Sequence, residues 1–369
     1  MLMVYDNAIK QLAYQPLHPT GGTFMTNREL VEKALTFQSV PHPPFMILAG
    51  HAWICRSNGL SPMGLLRLPD AGAQISVDAY RKAGSAVMFG GNQLGFYPIT
   101  AMGGEVNNEI VGGAPEITRR PLNEPEDIEK FDLDKVIADM RASEWYQLCI
   151  KQTQNMRAIV GDETFIAVGA YGPFTYASQM IGVDKFMENL MDDEEGHVQK
   201  MIRFAAEIIF AFNKDMLAAG GDIVMTAEPV ASGDLISQGM FEEFMLPINR
   251  ELLERTKALC PYSVVHICGN TSVRVASMAE NGFTGFSVDS IDMAAARQAA
   301  QGKMALIGNL NPAAIVRGLD SESVYQKSLE LCNAMKDQSG FILAPGCDLP
   351  PDTPMENLQA MAKAAADCV

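Results

Sequence analysis

The stretch SVVHICG (263–269), followed by FTGFSVD (283–289) and MALIGNL (304–310), repeats one design: a short, almost continuously apolar run that closes on a polar or reactive residue. The runs begin 20 and 21 residues apart, and helical patterns, Val273–Asn281 and Met293–Gln301, fill the intervals. A strand that is apolar on both faces belongs in a parallel sheet with helices covering both sides. Units as tight as these suit a closed barrel of alternating strands and helices.

Outward from this core, GFILAPG (340–346), DIVMTAE (222–228), FIAVGAYG (165–172) and PFMILAG (44–50) read as further strands. Helical patterns run over Lys185–Ala219, Met240–Ala258 and Ser321–Lys336. The expected fold is therefore α/β, a (β/α)8 TIM barrel. An open, doubly wound sheet is the alternative, but the first strand turn carries no G-x-G-x-x-G to argue for a dinucleotide. Thr26 with Glu29 has the spacing of a capping box and marks a helix start. Residues 1–25, which include the Pro/Gly-rich QPLHPTGGTF (15–24), read as an N-terminal extension, and residues 26–369 as one barrel domain. The Gly-, Asn- and Pro-rich segment Gly90–Arg120 reads as strands and loops inserted before the barrel proper.

The 28 Lys and Arg against 44 Asp and Glu give a formal charge of −16, which repels phosphate. That excludes nucleic acid and anionic membrane surfaces as expected partners. No run of 18 apolar residues could span a bilayer. Asp6 and Lys10 interrupt what would have to be the apolar part of an export signal, so a cytoplasmic location is expected. Seven widely spread cysteines, an odd number, do not form a disulfide framework.

Chemistry concentrates at the strand ends. His266 and Cys268 stand at i and i+2 and project to the same side of an extended segment. Cys347 closes the last strand, and a barrel delivers both segments to its C-terminal rim. One imidazole and two thiolates with a fourth position open is the donor set of a catalytic zinc. Glu228 and Asp289 also end strands; either is expected to fill the fourth position or to orient His266. Asp234 and Asn309 are further rim candidates. Trp53, Tyr171, Phe174 and Tyr176, with Asn309, are expected to line a largely aromatic substrate mouth.

The segment VVHICGNTS (264–272), with LAPGCDLPPDTPMENLQAM (343–361), resembles the His-x-Cys…Cys zinc signature of corrinoid-dependent methyltransferases in the uroporphyrinogen decarboxylase superfamily. TNRELVEKAL (26–35), EPVASGDLIS (228–237) and ALIGNLNP (305–312) resemble the same group. The resemblance implies a TIM barrel with zinc on His266, Cys268 and Cys347. It also implies a methyl group moved to or from the cobalt of a separate corrinoid protein, and a homodimer by analogy. The chain has no Asp-x-His-x-x-Gly segment to supply a lower cobalt ligand, so the cobalamin is expected on the partner. The decarboxylase itself holds a polycarboxylate with arginines after its first strand; here that stretch, residues 48–52, has none, and Arg56 is the nearest base. The aromatic, base-poor mouth favours demethylation of an aromatic methyl ether, an O-demethylase-type reaction. The alternative is methyl transfer from methylcobalamin to a thiol of the coenzyme M type.

Overall fold

A computed structural model describes residues 25–91, 97–169, 171–193, 195–335 and 339–368. Seven parallel strands form the main sheet: β1 (Val87–Phe89), β4 (Phe165–Val168), β5 (Ile223–Ala227), β6 (Ser263–Ile267), β7 (Gly285–Val288), β8 (Ala305–Leu310) and β9 (Phe341–Pro345). They pair in the order β1-β4-β5-β6-β7-β8-β9. Residues 44–46 close the ring. Met46 N–H donates to Leu343 O (2.9 Å) and Leu343 N–H to Pro44 O (2.9 Å), while Ala86 N–H donates to Phe45 O (2.7 Å). The eighth position of a (β/α)8 barrel is thus filled by a segment bonded to β9 on one side and to Ala86, the residue before β1, on the other.

That closure differs from the expectation for residues 44–50, which form only a parallel bridge from Phe45 to Leu343. Pro43 and Pro44 carry no N–H for a ladder. Beyond Leu48 the chain turns through Ala49 and Gly50, both at positive φ, into the helix His51–Ser57. The strand that sequence reading passed over is β1, three residues long and too short to show a period. Its position also corrects the place of the 90–120 insertion, which follows β1 inside the barrel rather than preceding the barrel. There it contributes the antiparallel hairpin β2 (Glu105–Asn107) and β3 (Glu116–Arg119). The long helical pattern 185–219 divides into Val183–Leu190 and His197–Ala218. The proposed extension, residues 1–25, lies outside the described residues except for Met25.

The expected capping box forms: Glu29 N–H donates to Thr26 Oγ1 (3.2 Å) and Thr26 N–H to Glu29 Oε2 (2.7 Å). The helix it starts, Asn27–Leu35, plugs the amino-terminal end of the barrel. Val31 and Leu35 share a void of only about 10 Å³ with Met46, Val87, Ala167 and Ile307, smaller than a water needs. The interior there is a packed core, and function is left to the opposite face. Among the described residues no helix is long and apolar enough to cross a membrane.

Candidate metal centre

Parallel register builds the site. His266 in β6 pairs with Ser287 in β7, and Asn309 in β8 with Ala344 in β9. Cys268 and Cys347 sit just past the ends of β6 and β9. One donor atom from each of His266, Cys268 and Cys347 lies within 4.8 Å of the other two; no other such trio occurs among the described residues. His266 Nε2 is 3.1 Å from Cys268 Sγ, and the two sulfurs are 3.3 Å apart, so both cysteines are free.

The ring of His266 is set by its other nitrogen. Nδ1 lies 3.0 Å from Ser287 Oγ and 3.2 Å from Ser287 O. A hydrogen bond to Ser287 O requires Nδ1–H, which leaves Nε2 with a lone pair toward the thiols. The two cysteines divide one proton between them. Cys347 is pushed well below the ordinary thiol range by the hydrogen bond from Cys268, helped by His266 and opposed by burial. Cys268 is raised by the same hydrogen bond, by burial, and by the charges of Asp289 and Asp348.

The expected carboxylates fall elsewhere. Glu228 is fully buried and accepts from Thr175 N–H (2.7 Å), Phe174 N–H (3.2 Å) and Asn249 Nδ2 (3.4 Å). It therefore sits on the amino terminus of the helix Pro173–Ile181, where the helix dipole favours a negative group. Gly172 is glycine because a Cβ would strike the Glu228 carboxylate. Burial still dominates and raises its pKa to about 7. Asp289 accepts from Gly269 N–H through Oδ2 (3.0 Å) and does not join the trio. Neither carboxylate orients His266; Ser287 does. Asn309 donates to Asp289 O (2.7 Å) and Ile291 O (2.8 Å). With Asn270, Ser272, Asp289 and Asn311 it lines an open cavity of about 470 Å³. Asp234 accepts from Asn270 N–H (2.8 Å) and ties two rim loops.

The aromatic mouth is also different from the expectation. Trp53 is 2% exposed and donates from Nε1 to Thr353 O (2.9 Å). Phe174 is wholly buried, packed edge-on against Phe186 at 5.0 Å, and Tyr176 is 1% exposed. These three are core side chains, as large apolar rings on a barrel's helical layer commonly are. Tyr171 alone of the four is partly exposed. Burial raises its hydroxyl to about 12, with Asp348, Cys268 and Cys347 adding to the shift, which locates it beside the cluster. Asp348 was not anticipated. The residue is exposed, but protein crowds its carboxylate, and that burial raises its pKa to about 6. It accepts from Gly50 N–H and Leu349 N–H, both at 2.8 Å, and so joins the closing segment to the Cys347 loop. Only its place next to Cys347 could have pointed to it; Ser287 had no signal apart from strand register.

A closed parallel barrel that gathers an imidazole and two thiols at the carboxyl ends of its strands defines a class, the TIM-barrel enzymes with a sulfur-rich centre at the C-terminal face. Residues 26–368 match the family model described as Uroporphyrinogen decarboxylase (URO-D), and the chain belongs to that family. A methylcobamide:CoM methyltransferase MtaA of Methanosarcina barkeri (strain Fusaro / DSM 804) is 30% identical over 267 residues, covering 72% of this chain and 75% of the relative. A methylcobamide:CoM methyltransferase MtbA of Methanosarcina acetivorans is 32% identical over 206 residues, 56% of this chain and 59% of that one. Among solved structures, a methyltransferase from Methanosarcina mazei superposes with a TM-score of 0.82 at 23% identity, covering 93% of this chain and 98% of its own.

Proposed function

We propose that this chain transfers a methyl group from a methylated corrinoid, carried by a partner protein, to a small thiol. The convergence of His266 Nε2, Cys268 Sγ and Cys347 Sγ within 4.8 Å carries the reading. The donor set fits zinc. Two Zn–S bonds of about 2.3 Å in a tetrahedron would put the sulfurs about 3.8 Å apart, a small opening from the 3.3 Å observed. Zinc held there would supply Lewis acidity that lowers the pKa of a substrate thiol.

The chain's own residues do the rest. Ser287 fixes the His266 tautomer, so its lone pair is available without a rearrangement. The hydrogen bond from Cys268 lowers the pKa of Cys347, which eases the loss of its proton to a metal bound there. Tyr171, partly exposed, lies close enough to the cluster for Cys268 and Cys347 to raise its hydroxyl. In the transfer, the S–C bond forms as the Co–C bond breaks, the electron pair stays with cobalt, and the thiol proton leaves to solvent.

The thiol direction replaces the ether reading as the better supported. Trp53, Phe174 and Tyr176, whose rings were to stack on an aromatic ether, are buried. The relatives MtaA and MtbA carry names that specify coenzyme M as acceptor. Carboxylates rather than bases flank the thiols, which also disfavours a tetrapyrrole polycarboxylate. The test supplies methylcobalamin with coenzyme M or homocysteine, and cob(I)alamin with phenyl methyl ethers. Loss of the methylcobalamin spectrum with a thiol, ethers remaining inert, is the expected result. Cobalt methylation by ethers alone would overturn it.

A further inference from the structure

We propose that Asp289 is the positioning residue that sets the spacing of Cys268 and Cys347; the inference rests on the metal-site reading above. The two thiols come from strands that are not neighbours, since β7 and β8 lie between β6 and β9. Three strand intervals span about 14 Å of sheet, yet the sulfurs approach to 3.3 Å. The loops that carry them must fold inward across the mouth and be held there.

Asp289, at the end of β7, touches both loops. Its Oδ2 accepts from the N–H of Gly269, the residue after Cys268, at 3.0 Å. Ser290 N–H donates back to Gly269 O at 3.2 Å, so the Cys268 loop is tied twice. Its Oδ1 rests against Gly346, the residue before Cys347. A Cβ at Gly346 would lie 2.7 Å from that oxygen and 3.2 Å from Asp289 Cα. The carboxylate is therefore a spacer wedged between the two ligand loops, and the glycine is the face it needs. β8 anchors the arrangement from behind: Asn309 Nδ2 donates to Asp289 O (2.7 Å), and Gly346 N–H donates to Leu310 O (2.7 Å). Asp289 does not join the ligand trio, so its role is to position the thiols and not to coordinate.

The experiment loads Co(II) into the purified full chain and reads the sulfur-to-cobalt charge-transfer band, the d–d bands and the affinity by chelator competition. Asp289→Asn keeps an oxygen for Gly269 N–H and the same bulk, and should keep the wild-type spectrum. Asp289→Ala should lose about tenfold or more in affinity and weaken the charge-transfer band. Gly346→Ala should perturb the same band, because its new Cβ displaces the carboxylate. In the double variant Asp289→Ala/Gly346→Ala the carboxylate is gone and only the 3.2 Å approach to the residue-289 Cα remains, so the loss should fall well short of the sum of the two single losses. A wild-type spectrum and affinity in Asp289→Ala, or losses that simply add in the double variant, would overturn the proposal. Should Asp289→Ala not fold, an unaltered band in Gly346→Ala would do the same. Wild-type protein that binds neither Co(II) nor zinc would instead remove the metal reading itself.

Discussion

Replacing Glu228 by Gln should change how stability depends on pH, by an amount the structure fixes. Burial lifts the Glu228 pKa from 4.5 to about 7. Between those values the folded protein keeps a proton that the unfolded chain has released, so this group's contribution is full below pH 4.5 and is lost as pH rises through about 7. A shift of that size corresponds to about 3 kcal/mol. A chain of 369 residues unfolds with an entropy of roughly 0.8 kcal/mol per degree, so 3 kcal/mol is about 4 °C. The amide that Glu228→Gln introduces cannot ionise. Its oxygen can still accept from Thr175 N–H, while its NH2 faces the Phe174 N–H, a cost that does not vary with pH. The assay is thermal unfolding by circular dichroism of both proteins from pH 4.5 to 8. Relative to Glu228→Gln, the wild type should lose about 4 °C across that range, whatever the offset at pH 4.5. A constant offset, or a wild type that gains on the variant as pH rises, would refute the assignment of a buried, proton-holding Glu228.

Two further outcomes concern the metal. Purified protein should hold one zinc per chain, and Cys268→Ala or Cys347→Ala should lose most of it by elemental analysis while circular dichroism stays that of a folded barrel. Full retention in both would remove the donor set. Ser287→Ala leaves His266 Nδ1 without its hydroxyl partner, and zinc affinity by chelator competition should fall about 10-fold or more; an unchanged affinity would mean that Ser287 O alone fixes the ring.

The barrel and its donor trio were legible because their signals are local. A strand buried on both faces has to be apolar along its length, as in residues 263–267 and 341–345, and a ligand at i and i+2 is written in consecutive letters. Prolines hid the closure at 44–46, since a segment can complete a sheet with two or three hydrogen bonds and no ladder of its own. The partners of the site were hidden for another reason. Ser287 orients His266 only through the register of β6 against β7, and Asp289 meets Gly346 only because β8 sets the ends of β7 and β9 on either side of it. The ends of DIVMTAE and FTGFSVD marked Glu228 and Asp289 as rim residues, but whether a rim carboxylate faces a metal, a helix terminus or a loop amide depends on side-chain direction that one sequence does not carry. Trp53, Phe174 and Tyr176 were expected at the mouth because their segments start there; within a helical turn, the apolar face turned them into the core.

The helix Asn27–Leu35 leaves the barrel with one door. With its amino-terminal end stoppered by Val31 and Leu35, the described residues leave the carboxyl-terminal mouth as the side from which the thiols are approached. For the chemistry proposed here, a small acceptor and a whole protein bearing a corrinoid must use that entrance in turn. On that reading a seated carrier covers the entrance. The acceptor has to arrive first, and its methylated product has to wait for the carrier to leave. A shared entrance of this kind ties the proposed transfer to one order of traffic, acceptor before carrier and carrier off before product.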